Sequence, residues 1–228
     1  TTPFVWDMDK KGLYVGGKTE VTGGTFEIQN AGDVTLKGNT EVKGDGTNKG
    51  VLKIDNKENG GKVNFEGGEG GTAPVLSVSG NAEVNVSGKV EIVNTNDNVA
   101  IEVAKGSAVA LGGGVIGDKD TVAIAVKDGG SIEINKEGGQ SVVINGKIVL
   151  GNPQGKMMMM KAAPKAIEVP AGASSFNLTD DQSSMNDDVQ YTGTGNNAFV
   201  AGISNGAKWT GNSVGGVNLD VILADGGA

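Results

Sequence analysis

The feature that most constrains the fold is a repeat of short alternating segments at nearly constant spacing. The segment Val99–Val103 (Val-Ala-Ile-Glu-Val) recurs further along the chain as Val122–Val126 (Val-Ala-Ile-Ala-Val). The segment Ala108–Leu111 recurs at the same spacing as Ser131–Ile134. Apolar and polar residues alternate in each segment, which indicates strands with one buried side. The fixed spacing predicts that each strand stacks on the equivalent strand of the next repeat.

The repeat extends upstream with slightly longer spacings. Val75–Val78 precedes Val99, Val51–Ile54 precedes Val75, and Thr25–Ile28 precedes Val51. Each repeat holds about three strands, such as Val75–Val78, Ala82–Val86 and Val90–Val93.

This pattern predicts an all-β fold, a right-handed single-stranded parallel β-helix (a solenoid) with three short strands per coil. Division of 228 residues by about 24 gives nine or ten coils, stacked about 4.8 Å apart. Inward positions form aliphatic ladders, for example Ile54 with Val78. The 40 glycines and only 5 prolines suit the many tight turns of such a body. An antiparallel sandwich is the alternative, but it does not predict a register that repeats at a constant spacing along the chain.

We expect one domain over residues 1–228, with residues 1–11, including Phe4 and Trp6, as an N-terminal cap. The repeat weakens after Leu150, and residues 151–165 and 179–188 are predicted to be protruding loops. The first loop contains four consecutive methionines, which suit an adaptable contact surface. A buried or half-buried loop is the alternative interpretation. The candidate partner-contact residues are Met157, Met158, Met159 and Met160.

Missing residue types limit the chemistry. The chain has no cysteine and no histidine, and all 19 of its basic residues are lysines. A Ser-His-Asp site is therefore excluded within the sequence. We expect that the chain is not an enzyme and that it has no cofactor and no metal site. The net charge of −8 argues against a nucleic-acid partner.

Carboxylate pairs leave one catalytic alternative open, a glycosidase that uses two acids. The pairs are Asp118/Asp120, Asp180/Asp181 and Asp187/Asp188. Adjacent acids in polar loops are more typical of solvated charges.

Two further motifs carry little weight. The segment Gly113–Asp120 has one copy, with the wrong spacing, of a calcium-binding nonapeptide pattern that needs tandem copies. The loops Asn94–Asn98 and Asp180–Asp188 are further candidates for an adventitious calcium ion. Lys43–Asp45 (Lys-Gly-Asp) matches an integrin-type tripeptide in a glycine-rich turn.

A family resemblance lies in the tail, Gly206–Val214 (Gly-Ala-Lys-Trp-Thr-Gly-Asn-Ser-Val) followed by Val217–Val221. This tail resembles bacterial autotransporter passenger domains of the pertactin and AIDA type. Strands preceded by glycine, such as Gly106–Leu111 and Gly130–Ile134, resemble the repeats of that family too. The motif itself is confined to this short tail, although the repeat pattern covers nearly the whole chain.

The resemblance implies a location outside the cell, on the bacterial surface or secreted. It also implies a parent protein anchored by a C-terminal outer-membrane barrel that is absent from this sequence. The family's roles include adhesion, autoaggregation and toxicity, and they do not follow from the fold.

The leading functional hypothesis is an adhesin that contributes to virulence. It would bind its partner through an extended solenoid surface. Its partner would be a second copy of itself, or a host-cell or matrix protein or glycan. The first alternative is an inert stalk for a missing domain. The second is a polysaccharide-active enzyme that uses only carboxylates.

Overall fold

The computed structural model describes residues 2–68, 71–93, 98–119, 121–136, 138–151, 174–191, 199–214, 219–224 and 226–228. These residues form strands, turns and bends. No helix among them is long and apolar enough to cross a membrane.

The strands are short, and they follow one another along the chain with turns between them. They are β1 (Phe4–Asp7), β2 (Leu13–Val15), β3 (Thr19–Thr22), β4 (Thr25–Gln29), β5 (Val34–Lys37), β6 (Thr40–Lys43), β7 (Val51–Ile54), β8 (Lys62–Glu66), β9 (Leu76–Ser79), β10 (Glu83–Val93), β11 (Ile101–Val103), β12 (Ala108–Ile116), β13 (Val122–Val126), β14 (Ser131–Ile134), β15 (Val142–Asn145), β16 (Lys147–Leu150), β17 (Ser174–Thr179), β18 (Ser183–Asn186), β19 (Val189–Tyr191), β20 (Phe199–Ser204), β21 (Lys208–Thr210), β22 (Ser213–Val214) and β23 (Leu219–Ala224).

The strands stack on three faces, and every pairing is parallel, which confirms the predicted solenoid. Face 1 contains β1, β4, β7, the first part of β10, the first part of β12, β14, β17, β20 and β23. Face 2 contains β2, β5, β8, the second parts of β10 and β12, β15, β18 and β21. Face 3 contains β3, β6, β9, β11, β13, β16, β19 and β22.

The number of coils is slightly lower than predicted. Face 1 carries nine described strands, whereas faces 2 and 3 carry eight each. The described residues therefore build fewer complete three-sided coils than the nine or ten expected from the sequence. Faces 1 and 2 belong to one 15-stranded sheet because β10 and β12 run through the corner between them.

The core is a narrow column of inward side chains stacked in register. On face 1, one inward ladder runs through Phe26, Leu52, Val84, Val109 and Ile132. On face 3, another runs through Val42, Val78, Val103, Val126 and Leu150. All of these except the partly buried Phe26 are buried. Burial of each such aliphatic side chain contributes about 1.5–3 kcal/mol.

The structure confirms most of the predicted stacking. Ile101 pairs with Ile124, and Ala108 pairs with Ser131, both at the predicted spacing. Thr25 pairs with Val51 as expected. The predicted strands 82–86 and 90–93 form one bent strand, β10, whose register shifts between Val86 and Lys89.

The predicted ladder between Ile54 and Val78 is wrong. Ile54 pairs with Ile28 and Val86 on face 1, whereas Val78 pairs with Val42 and Val103 on face 3. The spacing between Val51 and Val75 was misleading because strands on all three faces have the same alternation of apolar and polar residues. A strand of face 3 therefore looks like the next strand of face 1. The partner of Val51 in the next coil is Glu83, which lies further along the chain because the third coil has longer corners.

The predicted loop at 179–188 is wrong in its central part. Strand β18 lies there and pairs with β15 and β21, and its inward residues Ser183 and Met185 are buried. The alternation was hidden because serine occupies an inward position. In the predicted loop at 151–165, Gly151 follows β16 and the remainder lies outside the described residues. In the predicted cap, β1 is the terminal strand of face 1.

Candidate interaction surface

The predicted acid pair Asp180/Asp181 lies at the corner between faces 1 and 2. The Asp180 carboxylate accepts hydrogen bonds from the backbone N–H groups of Gln182 and Gly139, each at 3.0 Å. The bond from Gln182, followed by that from Gly139, holds the pKa of Asp180 below its ordinary value. Because Gly139 belongs to the preceding coil, the carboxylate joins two corners, and a turn-forming role accounts for it.

The pair Asp187/Asp188 serves a second corner. Asp188 Oδ1 accepts hydrogen bonds from the backbone N–H and the side-chain Nδ2 of Asn212, at 2.8 and 3.0 Å. Asp187 Oδ1 accepts from the backbone N–H of Asp188 at 2.7 Å. Asp188 therefore connects this corner to the next coil, whereas the Asp187 carboxylate is bonded within the corner.

The third pair and the calcium candidates are only partly visible. Asp120 and residues 94–97 lie outside the described residues. Gly113 and Gly114 lie within β12 and are not in a ligand loop. In the described part of the chain, no group of three or more acidic side chains is placed to hold a metal ion.

The tripeptide Lys43–Asp45 is engaged within the fold. Lys43 Nζ lies 2.9 Å from Glu20 and 3.3 Å from Glu41. Asp45 Oδ1 accepts from the backbone N–H groups of Thr47 and Asn48, at 2.8 and 2.6 Å. Hydrogen bonds from Asn48 lower the pKa of Asp45.

The candidate contact residues Met157, Met158, Met159 and Met160 lie outside the described residues. The outward positions of the three faces supply the candidate surfaces of the described residues.

On face 3, the outward charges of the first two coils neutralise one another. Lys18 Nζ lies 3.2 Å from Glu20 and 2.6 Å from Glu41, and Lys43 contacts the same two carboxylates. Hydrogen bonds from Lys43 and then Lys18 lower the pKa of Glu20 to about 2. This network uses its own donors and acceptors and offers few to a partner.

The central outward residues of face 2 pair in register from the first described coil to the last, as those of the other two faces do. We call this set the face 2 column: Tyr14, Thr35, Asn64, Glu91, Val115, Val143, Ser184 and Lys208.

The middle of the face 2 column is apolar. Val115 and Val143 are register partners on the outside of face 2. Val115 is 39% exposed although its side chain is apolar. Tyr14, at one end, is 66% exposed. A valine pair at this position adds nothing to the buried core, which is built from the inward Ile116 and Ile144.

Polar residues flank the valines on both sides. Asn64 Nδ2 donates to Thr35 Oγ1 at 3.3 Å, and Glu91 lies 2.5 Å from Lys62 Nζ. On the other side lie Ser184 and the exposed Lys208. The column therefore has an apolar centre bordered by polar residues. Protein interfaces have the same arrangement, with an apolar core and a polar rim.

Sequence reasoning did not identify this column, because its valines adjoin core residues in the chain. Val115 precedes the buried Ile116, and Val143 follows the buried Val142. Two adjacent apolar residues do not reveal which one points outward. Strand β12 also passes from face 1 to face 2 between Leu111 and Gly114, and this corner resets the alternation.

Comparison of the chain with models of known protein families, with curated proteins and with solved structures finds no significant match.

Proposed function

We propose that this chain is a passenger-type β-solenoid of a bacterial surface or secreted protein, and that it acts in adhesion or autoaggregation through the face 2 column. The observation that carries the proposal is the outward, partly exposed pair Val115 and Val143 at the centre of that column. The tail around Trp209, which resembles autotransporter passengers, supports the location outside the cell.

Homotypic contact suits the order of residues along the column. When two copies meet face to face with antiparallel axes and a dyad between Val115 and Val143, each valine meets the other valine of the partner. In the same arrangement Glu91 faces Ser184 and Asn64 faces Lys208. Like charges do not meet, and the apolar centre is removed from water.

The strength of such contact comes from repetition. A single valine pair and its polar border supply little free energy, and association of two proteins carries a substantial entropic cost. Many copies on opposing cells bind together, so that weak contacts give a large avidity.

We further propose that the chain is not an enzyme. It contains no histidine, cysteine or arginine. Asp180 and Asp188, two of the candidate catalytic acids, are occupied as acceptors in corners.

Surface display on bacteria that do not clump by themselves tests the proposal. Cells that display the wild-type chain are expected to aggregate and settle. The double variant Val115→Glu with Val143→Glu is expected to abolish settling, because it places negative charges opposite one another. The matched control is Ser131→Glu with Asn177→Glu, which adds two charges to face 1 and is expected to leave settling unchanged.

Two outcomes would contradict the proposal. Wild-type cells that neither settle nor bind host matrix would favour the inert stalk. Settling that the face 2 variant retains would show that another surface is responsible. Equal surface levels of the three displayed chains, measured with an antibody to a tag, keep the comparison valid.

A further inference from the structure

Two opposite charges on face 2 have no partner within the chain. Glu66 lies two residues after Asn64 on β8, so it points outward beside the face 2 column. Lys208 belongs to the column itself, on β21. Both side chains are exposed, and in the part of the chain that the structure describes neither forms an ion pair.

The strands between these two charges are neutral or internally matched. Strands β12, β15 and β18 contain no charged residue. On β10, Glu91 lies 2.5 Å from Lys62 Nζ of β8, so this acid is neutralised within its own chain. Glu66 therefore lies on one side of the apolar centre of face 2, and Lys208 lies on the other.

The face-to-face arrangement proposed above brings the two charges together. With the dyad along the strand direction between Val115 and Val143, β8 of one copy faces β21 of the other, and Lys208 lies opposite Asn64. Glu66 is two residues further along the strand, about 7 Å from that point. The ammonium group of lysine lies on a flexible four-carbon stem, which suits a diagonal contact of this kind.

We propose that Glu66 of each copy pairs with Lys208 of the other, and that this pair selects the register in which the chain recognises itself. The inference rests on the proposed function, because it requires face 2 to be the contact surface. Twofold symmetry makes the contact occur twice in each pair of molecules. Charges at the border of an interface contribute mainly to specificity, since a wrong register brings like charges together.

Neighbouring registers are less favourable. A shift by one strand in one direction puts Lys208 opposite Glu91, which is already matched, and leaves Val115 against Ser184. A shift in the other direction puts Lys208 beside Lys37, a like charge. The register centred between the two valines is the one that joins apolar groups and also joins unmatched charges of opposite sign.

A charge swap between displayed chains tests the pairing. Lys208→Glu alone and Glu66→Lys alone each put like charges together at both contacts, and each is expected to lose settling. The double variant Lys208→Glu with Glu66→Lys restores opposite charges between its own copies and is expected to settle. In a two-colour mixture with wild-type cells it meets like charges at both contacts, so we expect the two populations to form separate clumps.

The matched control is Glu27→Lys on face 1. Glu27 is in register with Lys53, as Glu66 is with Lys37, so both substitutions place a lysine beside a lysine of the neighbouring coil. Cells that display Glu27→Lys are expected to join wild-type clumps, which separates a change of net charge from a change of register. Recovery of settling in the double variant shows that both substituted side chains are compatible with the fold.

Three outcomes would overturn the inference. Single variants that settle like wild type, or a double variant that joins wild-type clumps, would show that the two charges do not meet. Lys208→Glu cells that clump with Glu91→Lys cells, and not with Glu66→Lys cells, would indicate the shifted register. If Val115→Glu with Val143→Glu still abolishes settling in these cases, the proposed function stands without the charge pair. Wild-type cells that do not settle would contradict both.

Discussion

The indole Nε1 of Trp209 donates a 2.9 Å hydrogen bond to the backbone carbonyl of Asp187, one coil earlier. Trp209 stacks on Met185 in the inward ladder of face 2, so its ring covers the core while its N–H fixes the neighbouring corner. The Trp-Thr-Gly segment that resembles autotransporter passengers therefore has a structural role in this chain.

Gly211 completes this corner, and its replacement should be costly. A Cβ at Gly211 would overlap the Asp187 carbonyl oxygen and approach Trp209 Nε1. Gly211→Ala is expected to lower the free energy of unfolding by about 1–3 kcal/mol, through the shift forced on well-packed groups. Urea denaturation measures this. The control Gly17→Ala meets no atom within 4 Å and should differ little from wild type. Equal stability of both variants would show that the corner has room.

Thr40 offers a stabilising substitution. Its hydroxyl is buried at an inward position of face 3 and finds no hydrogen-bond partner among the described residues. Thr40→Val keeps the shape and removes the unpaired polar group, so we expect a gain of about 1 kcal/mol. Thr40→Ala leaves a cavity and should destabilise. A loss of stability in Thr40→Val, measured by thermal denaturation, would show that the hydroxyl has a partner.

Lys105 holds a left-handed backbone conformation, with φ of 52°, directly before Gly106. A lysine in this region is strained by about 1–2 kcal/mol, whereas glycine is not. Lys105→Gly is therefore expected to be neutral or slightly stabilising, because relief of strain offsets the added freedom of the unfolded chain. The comparison is Ser77→Gly in β9, which should destabilise. If Lys105→Gly costs as much as Ser77→Gly in urea denaturation, the turn has a different conformation.

Glu20 should make stability depend on pH under acidic conditions. Its pKa is lowered from 4.5 to about 2 by hydrogen bonds from Lys43 and Lys18. A lowered folded-state pKa contributes stability above pH 4.5, and this contribution is lost as the pH falls towards 2. Glu20→Gln should therefore lose less stability than wild type across that window, with the two curves converging near pH 2. The exposed ion pairs keep the effect small, so thermal melts at closely spaced pH values are needed. Parallel curves would contradict the prediction.

The solenoid could be predicted because alternation and a constant spacing are local properties of the sequence. Ile101 with Ile124 shows this directly. Corner lengths could not be predicted, because a corner obeys no periodic rule. The long connections between β7 and β8 and between β8 and β9 therefore place the true partner of Ile54 at Val86, further along the chain than the expected Val78.

The candidate surface was less accessible from the sequence than the core. Val115 and Ile116 look equivalent in the chain, and only the register through Glu91 and Val143 places one outside and the other inside. Similarly, the stack of Phe4 and Trp6 on Phe26 depends on how β1 pairs with β4.

Self-recognition through face 2 is tested most directly by mixing three labelled populations of bacteria. One population displays the wild-type chain, the second displays Val115→Glu with Val143→Glu, and the third displays the control Ser131→Glu with Asn177→Glu. We predict clumps that contain wild-type cells and exclude the variant cells, while cells that display Ser131→Glu with Asn177→Glu join the wild type. Clumps that include all three populations equally, or a wild type that never clumps, would contradict a role of the Val115–Val143 pair in adhesion.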